Sequence, residues 1–375
     1  MKNCFFYFIA LLVIILFPRP ISAQAVGNVT GVQVSGNTLQ LQCGTDMVIF
    51  RVCTENVIMI NLRPDGIESP DTLIVSNTSW AVVPATIDTN SDPITIQTSN
   101  FRIEIARNPM RIYGYNSSGV LLFNEPAAMG INPAGISLTT TGGNFYGIHS
   151  PNPAGLLAAS GNIYSGSQGQ AGGPFVWTTK GWGMFADIDS GRINLSSNSI
   201  TFLRTTNPMK VDIEFYFIFG SPKDIMNGMT DVTGKPPLFP KYSFGFLNSQ
   251  WGMNQNKLLG YVSTYRSKGI PLDAYILDFD WMDWGADYYG EFRFGPNFPS
   301  STAGVLRDTL LKNGVKLFGI RKPRVHTFTI EGQYALSRHY FVDSLIDYFS
   351  HKEVGRMNFN IPGARQWFYS KPSHF

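Results

Sequence analysis

The amino-acid sequence predicts a β-sandwich followed by an incomplete (β/α)8 TIM barrel. From Val26 to about Leu238, short apolar or alternating runs are separated by Gly, Pro, Asn and Asp, which is typical of an antiparallel sandwich. Beyond Leu238, strand-like and helix-like segments alternate, which indicates parallel strands with crossover helices. From Tyr242 to Phe375 this second region has 134 residues, whereas a whole barrel takes at least about 200.

The first 23 residues have the pattern of a secretory signal peptide. Lys2 precedes an apolar run from Phe5 to Phe17, and a stretch of small residues ends at Ala23. An uncleaved membrane anchor is the alternative, but the run is shorter than the about 20 apolar residues of a membrane span. We therefore expect cleavage after Ala23, no membrane span in the mature chain, and a secreted or periplasmic protein.

The composition suits an exported protein that binds neutral ligands. Charged residues make up only 15% of the chain, aromatic residues reach 14%, and the net charge is +3. The basic residues are scattered, and no Lys/Arg-rich run indicates nucleic-acid binding. Few charges beside many aromatic rings are typical of a surface that binds neutral sugars.

Two cysteines, Cys43 and Cys53, follow the predicted signal peptide, and an even number in an exported protein suggests a disulfide. The runs TLQLQC and MVIFRVC, however, predict two strands joined at residues 44–46. This hairpin would separate the two cysteines by roughly 20 Å, at about 3.3 Å per residue. A disulfide requires Cα atoms within about 7 Å, so we expect two free, buried thiols.

Helix and strand signals organise the rest of the chain. Residues 221–234 form the first helix candidate, which starts at Ser221 or Pro222 and stops at Gly234. The next segments predict strand, helix, strand, helix and strand: YSFGFLNSQW, NQNKLLGYVSTYRSKG, LDAYILDFDWM, SSTAGVLRDTLLKNG with a Ser or Thr cap, and VKLFGIRKPRV. Two later segments, IEGQYALSRHYFVDSLIDYFS and GARQWFYSK, are predicted to be helical. The expected signal peptide, sandwich and barrel part cover 1–23, 24–236 and 237–375.

The segment LDAYILDFDWMDWGADYY begins as a buried strand and then fills with carboxylates and aromatic rings. Residues two apart on a strand face the same side, so Asp278, Asp280 and Met282 are predicted to share one face. The two acids would then be about 7 Å apart. Aromatic faces beside carboxylates suit a sugar ring, because the rings stack on C–H groups and the acids accept hydroxyl hydrogens.

The sites of barrel enzymes lie at the C-terminal ends of the strands. Three such ends can be named here: Trp251, residues 278–282 and residues 320–324. An inverting glycosidase needs two carboxyls about 6.5–9.5 Å apart, which the predicted spacing of Asp278 and Asp280 could satisfy. Two acids on one strand do not readily reach opposite faces of a sugar, so a binding or structural function is favoured for both.

Three segments, FGFLNSQWG, GIPLDAYILDFDWM and GVKLFGIRKP, are similar to consecutive barrel strands of glycoside hydrolase family 31, the retaining α-glucosidase and α-xylosidase family. Upstream, NFYGIHS and PFVWTTKGWGMFADI resemble the galactose-mutarotase-like sandwich of that family. DVTGKPPLFPKYSFG resembles the connection into its barrel, and NFNIPGARQWF resembles the segment before its nucleophile strand. The resemblance covers nearly all of the chain after residue 23.

By this resemblance, Asp278 would bind the O4 and O6 hydroxyls of the sugar in the −1 subsite. Trp251, Phe279 and Ile320 would form the walls of that subsite. The family's nucleophile is an Asp in a Trp-x-Asp-type motif on a later strand, and its acid/base follows later still. Neither motif occurs here, so the catalytic residues stay unassigned and we expect this chain alone to be an inactive, N-terminal part of the enzyme.

The third strand ends in a basic cluster of Arg321, Lys322, Arg324 and His326. Family members commonly carry an acidic residue at the position of Lys322. The cluster could bind an anionic sugar substituent or reshape the acceptor side. The favoured alternative is that it forms ion pairs with the acids at 278 and 280 or with a later strand. Asp280 and Arg321 complete the predicted substrate-binding set.

Other candidates are weaker. The Gly-rich segment SGSQGQAGG lacks the strand-to-helix setting of a phosphate loop. By the resemblance, this region forms a loop over the active site, which makes Tyr164 and Gln168 possible ligand-binding residues. A flexible surface loop is the favoured interpretation. The five histidines lack metal-ligand spacing, so neither a metal nor a cofactor is expected. Asp343 and Asp347 are four apart on a predicted helix, which is typical of a solvated face.

The sequence therefore predicts an exported retaining α-glycosidase that acts on α-linked glucosides or related oligosaccharides. The alternative is a non-catalytic carbohydrate-binding or interaction protein that keeps the sugar platform without the chemistry. The sequence leaves the sugar, the linkage and the choice between hydrolysis and transfer open.

Overall fold

The computed structural model describes residues 25–70, 72–127, 130–149, 161–163, 172–204, 210–282, 292–301, 304–348 and 350–371. The chain divides into two compact units, Met1–Pro236 and Pro237–Phe375. Three sets of residues named in the sequence analysis lie outside the described residues: the predicted signal peptide, the loop residues Tyr164 and Gln168, and the acidic stretch from Asp283 to Tyr289.

The first unit consists mainly of short strands. In chain order they are β1 (Gly31–Ser35), β2 (Thr38–Cys43), β3 (Asp46–Thr54), β4 (Val57–Arg63), β5 (Thr86–Asp88), β6 (Ile94–Gln97), β7 (Phe101–Arg107), β8 (Met110–Asn116), β9 (Leu121–Asn124), β10 (Gly135–Thr140), β11 (Phe145–His149), β12 (Gly161–Ile163), β13 (Gly172–Thr178), β14 (Trp182–Ala186), β15 (Gly191–Leu195), β16 (Ser199–Arg204) and β17 (Ile213–Phe219). Within the described residues they form an eight-stranded sheet, β1-β2-β3-β4-β17-β14-β13-β11, and a nine-stranded sheet, β12-β15-β16-β10-β9-β8-β7-β6-β5.

The two sheets pack face to face on one hydrophobic core. Phe123 on β9 stacks on Phe217 on β17 with ring centroids 4.8 Å apart, and Phe101 on β7 stacks on Phe219 at 4.7 Å. On strands such as β2 and β7, buried residues alternate with partly exposed ones, because alternate side chains point to opposite faces of a sheet. The first unit is therefore the sheet-rich, sandwich-like body that the sequence predicts.

The hairpin β2–β3 determines the state of the cysteines. Cys43 pairs with Asp46 across the turn, where Gly44 has a positive φ of 67°, and Cys53 lies near the far end of β3. Both thiols are free and buried, as predicted. Burial is the main cause that raises the pKa of Cys43 to about 11 and that of Cys53 to about 12.

Helix α1 (Pro222–Thr233) follows β17 and confirms the first helix prediction. The Ser221 hydroxyl accepts a hydrogen bond from the backbone N–H of Asp224, and the Asp224 carboxylate accepts one from the backbone N–H of Ser221. This reciprocal capping box satisfies two donors that the helix itself leaves unpaired. Pro222 occupies the first helical turn, and Gly234 follows the helix with a φ of 83°.

The second unit begins with the predicted strand–helix series. It contains β18 (Leu247–Gln250), α2 (Gln255–Ser267), β19 (Ala274–Leu277), α3 (Val305–Lys312) and β20 (Lys316–Gly319). The three strands are parallel, and their order in the sheet follows their order in the chain, as in a barrel. The predicted Ser or Thr cap of α3 is wrong, because Gly304 is its N-cap residue. The incomplete (β/α)8 barrel stays a prediction.

A small antiparallel sheet follows the parallel strands. It consists of β21 (Arg324–His326), β23 (Glu353–Met357) and β22 (Phe341–Ile346) in that spatial order, with α4 (Ile330–Ser337) after β21 and α5 (Pro362–Ser370) after β23. The prediction of one helix over 330–350 is wrong in its second half. Helix α4 ends at Ser337, His339 adopts a φ of +56°, and the next residues pair with β23.

None of the helices in the described part of the chain is both long enough and apolar enough to cross a membrane.

Candidate functional site

The three parallel strands end at the same level of their sheet. Gln250 pairs with Leu277, and Leu277 pairs with Gly319. The next residues, Trp251, Asp278 and Ile320, therefore leave the same edge together, and the N–H of Ile320 donates to the carbonyl oxygen of Leu277 at 2.9 Å. This parallel register brings together the three strand ends that the sequence predicts to meet.

The chain turns sharply at Asp278 and does not continue as a strand. Asp278 caps a short 3-10 helix, Phe279–Trp281, and its Oδ1 accepts the N–H of Phe279 at 2.7 Å. The prediction that Asp278, Asp280 and Met282 share one face of a strand is therefore wrong, because strand alternation stops at Leu277.

Within the described residues, the second carboxylate oxygen of Asp278, Oδ2, accepts no hydrogen bond. Asp278 is half-buried. The ammonium of Lys322 is near enough for the two charges to attract each other. A carboxylate with one oxygen held by the backbone and the other available is well suited to accept a hydroxyl hydrogen, since charged acceptors form the stronger hydrogen bonds.

Asp280 uses its carboxylate within the protein. Its Oδ2 accepts the backbone N–H of Gly252 at 2.8 Å and that of Met253 at 3.4 Å. These bonds fasten the loop after β18 to the loop after β19, and they fix the backbone beside Trp251. This geometry favours a positioning function for Asp280 over direct contact with a ligand.

The aromatic residues of the site differ in exposure. Trp251 is 57% exposed, whereas Phe279 is 8% exposed, and their rings meet edge to face at 6.4 Å. Trp281 is fully buried, and its indole N–H donates to the carbonyl oxygen of Ile320 at 2.9 Å. Trp251 therefore offers the exposed ring face, while Trp281 fixes the wall formed by Ile320.

Lys322 adds a positive charge near the same strand ends. Its Nζ lies 4.6 Å from the centre of the Phe279 ring, a cation–π contact. Burial, followed by repulsion from Arg324, lowers the pKa of Lys322, while attraction to Asp347 and Asp278 opposes this change. The sequence identified the cluster, but nothing in the pattern indicated that Lys322 would lie on Phe279.

Arg321 is engaged with helix α5. Its guanidinium donates to the carbonyl oxygen of Phe368 at 2.7 Å and to that of Lys371, and it lies 4.5 Å from the Phe368 ring centre. Cations are stabilised at helix C-termini, where carbonyl groups lack helical partners. This arrangement favours a structural function for Arg321.

Asp347 is the partner of the basic cluster that the sequence analysis missed. It is completely buried, its Oδ1 pairs with Arg324 at 3.2 Å, and its Oδ2 accepts bonds from Ser350. Asp343, in contrast, lies on β22 and pairs with Arg356 on β23. The prediction of a solvated helix face for the two acids is therefore wrong, and no signal in the sequence distinguished the buried one.

Among the described residues, no group of three or more His, Cys, Asp or Glu side chains is arranged to hold a metal ion.

A sheet-rich unit precedes a series of parallel strands and helices, and a carboxylate and an exposed tryptophan lie at the ends of those strands. This arrangement is typical of the class of barrel proteins whose sites lie at that edge. Comparison with known proteins makes the class specific. Residues 236–375 match the model of the glycosyl hydrolases family 31 TIM-barrel domain. Residues 236–375 therefore form part of a glycoside hydrolase family 31 domain.

Two characterised relatives support this assignment. The chain is 34% identical to a 1,6-alpha-glucosyltransferase of Sporosarcina globispora over 95% of its own length and 30% of the relative's. It is 33% identical to an alpha-xylosidase of Saccharolobus solfataricus over 38% of its length and 19% of the relative's. The chain thus spans less than a third of either relative.

A solved structure of a family 31 dextranase from Flavobacterium johnsoniae, complexed with isomaltotriose, has the same fold. It superposes with a TM-score of 0.75 and 20% sequence identity, covering 93% of this chain and 46% of the dextranase.

Proposed function

We propose that the protein is an exported retaining α-glycosidase or α-glucosyltransferase that acts on α-linked glucosides. In this proposal, the described strand ends bind the sugar unit whose glycosidic bond is transferred or hydrolysed. The observation that carries the proposal is the available Oδ2 of Asp278 beside the exposed ring of Trp251. Together they offer a hydroxyl acceptor and an apolar platform for a pyranose.

Reaction of the full enzyme would follow double displacement. A carboxylate attacks the anomeric carbon to form a covalent glycosyl intermediate, and a second carboxyl first protonates the leaving oxygen and then activates the incoming water or sugar. We propose that neither of these two groups is among residues 1–375. Asp280 supports this view, because its carboxylate already binds two backbone N–H groups.

The choice of linkage follows from the similarity to a 1,6-alpha-glucosyltransferase. An α-1,6-linked substrate such as isomaltose or isomaltotriose is therefore the first probe. Nothing in the strand-end geometry by itself separates glucose from xylose.

The proposal is tested by binding. The substitution Asp278→Asn is isosteric and keeps an oxygen for the N–H of Phe279, but it removes the charge that strengthens a bond to a hydroxyl. Loss of a charged hydrogen bond costs about 1.5–3 kcal/mol, so affinity for isomaltose should fall by about 10- to 150-fold. Asp308→Asn, at an exposed carboxylate on α3, is the matched control.

Unchanged isomaltose affinity in Asp278→Asn would remove the main support for the proposal. A second measurement concerns catalysis: the 375-residue chain should not hydrolyse an aryl α-glucoside above the blank. Turnover that disappears with Asp278→Asn or Asp280→Asn would show that the catalytic carboxyls are among these residues.

A further inference from the structure

A polar pocket lies at one end of the first unit. It has a volume of about 390 Å³ and is lined by residues from five connections of the sandwich. Asn56 lies between β3 and β4, Asn100 between β6 and β7, Asn116 at the end of β8, Lys180 between β13 and β14, and Asp224 in the first turn of α1. Pockets for small ligands commonly have volumes of about 300–1,000 Å³.

The asparagine amides in this pocket are held in fixed orientations. Asn56 Nδ2 donates to the carbonyl oxygen of Phe219 at 2.7 Å, and Asn56 Oδ1 accepts a bond from Asn100 Nδ2 at 3.1 Å. Within the described residues, no donor reaches Asn100 Oδ1. Each amide nitrogen carries two hydrogens, so this pair can offer a ligand both donors and an acceptor.

A third amide is fixed in the same way. Asn116 Oδ1 accepts the backbone N–H of Ser118 at 3.0 Å and that of Val120 at 2.9 Å. Its Nδ2 therefore stays oriented as a donor. Because these amides are ordered before a ligand arrives, binding does not require them to lose conformational freedom.

The charges of the pocket are balanced. Lys180 contributes an ammonium for which the described residues provide no partner, and Asp224 contributes a carboxylate whose Oδ2 is bonded to Ser221. The remaining lining residues are polar or glycine. An anion would meet the carboxylate, and an apolar ligand would leave the amides unpaired, so this chemistry suits a neutral ligand with many hydroxyl groups.

Two glycines keep the floor of the pocket open. A Cβ on Gly220, which has a φ of +128°, would lie 2.7 Å from the Asp224 Cβ and 3.2 Å from Asn56 Nδ2. A Cβ on Gly181, at a φ of +88°, would lie 3.3 Å from the carbonyl oxygen of Gly220. Any larger residue at either position would intrude on the groups that line the cavity.

We propose that this sandwich-end pocket is a second saccharide-binding site, which takes one or two units of a neutral α-linked oligosaccharide. Its lining comes entirely from the first unit, so it is separate from the strand-end site around Asp278. A second site on the same chain would raise the effective concentration of a long substrate near the enzyme. The choice of an α-linked ligand rests on the proposed function; the preference for a neutral polyhydroxylated ligand rests on the pocket itself.

The test uses a ligand-observed NMR titration of isomaltotriose on the 375-residue chain that carries Asp278→Asn, so that the predicted strand-end binding is already weakened. Ser117 lines the pocket and is exposed, and Ser117→Phe would fill it. Ser197, between β15 and β16, is also exposed and is outside the lining, so Ser197→Phe is the matched control. Losing several hydrogen bonds at once should weaken isomaltotriose binding by about tenfold or more in Ser117→Phe, with no change in Ser197→Phe.

A further substitution tests the chemical class of the ligand. Lys180→Gln removes the positive charge but keeps a donor, so isomaltotriose affinity should change by less than about threefold, since neutral hydrogen bonds contribute little individually. Inorganic phosphate should not compete. Equal isomaltotriose affinity in Ser117→Phe and Ser197→Phe overturns the inference, and so does competition by phosphate that Lys180→Gln abolishes. If Ser117→Phe weakens binding whereas Asp278→Asn does not, the sandwich pocket stands and the proposed strand-end site fails.

Discussion

The substitution Lys210→Met should severely destabilise the first unit. The Lys210 ammonium is 5% exposed and lies 2.8 Å from Asp187 Oδ2 and 3.0 Å from Glu214 Oε2. At an effective dielectric constant of about 20, each contact corresponds to about 6 kcal/mol of Coulomb attraction before desolvation. Attraction to the two carboxylates outweighs burial and raises the pKa of Lys210. Methionine would leave both acids beside each other without a cation.

Removing one partner of a buried ion pair typically costs about 3–5 kcal/mol, and we expect a loss of that size. Hydrogen exchange of the β17 amides reports on the first unit alone, and protection there should fall by about 10²- to 10⁴-fold. The control is Lys180→Met, because Lys180 is exposed and has no ion-pair partner in the described residues; its effect should stay within about 0.5 kcal/mol. A loss below about 1 kcal/mol in Lys210→Met would refute the reasoning.

Three further predictions concern the same unit. Burial is the main cause that raises the pKa of the Glu125 carboxyl from 4.5 to about 7. The native state therefore binds more protons than the unfolded state between these pH values, and the free energy of unfolding should fall by about 3 kcal/mol as pH rises from 4.5 to 7. Urea titrations that show a flat or rising free energy of unfolding over that window would contradict this prediction. Phe123→Ala removes a fully buried ring that stacks on Phe217 and packs tilted against Trp182, which should cost the first unit about 3–5 kcal/mol. The control is Phe244→Ala in the second unit, which should cost little because that residue is 72% exposed. Because burial raises the pKa values of Cys43 and Cys53 to about 11 and about 12, a thiol reagent at pH 8 should label them only after unfolding, and rapid labelling of native protein, located by mass spectrometry, would disprove their burial.

Local signals in the sequence were sufficient for much of the fold. The hairpin that separates Cys43 from Cys53 follows from strand periodicity and a glycine at the turn. Helix α1 follows from a Ser-Pro start and a Gly stop. The parallel strand order follows from alternating strand and helix periods, since crossover helices place successive strands side by side.

Specific hydrogen-bond and ion-pair partners explain what the sequence could not predict. Residues 341–346 pair with β23 as a strand although they were predicted to be helical, because hydrogen bonds to the next strand in the chain outweighed a weak helical pattern. The turn at Asp278 depends on its own backbone cap, and the burial of Asp347 depends on Arg324 and Ser350. Of these partners only Arg324 is distant in the chain from the acid that it contacts, whereas Phe279 and Ser350 are local partners whose geometry residue types alone did not reveal.

Asp280 accepts hydrogen bonds from the backbone N–H groups of Gly252 and Met253, and these bonds matter for the redesign of this protein. One carboxylate connects two neighbouring loops, so the backbone beside Trp251 is held by an acid in the loop that follows a different strand. Mutant libraries that vary the strand-end site but keep Asp280 would preserve the position of the Trp251 indole. Those that randomise it would release two backbone donors at once and change ligand preference through disorder rather than through new contacts.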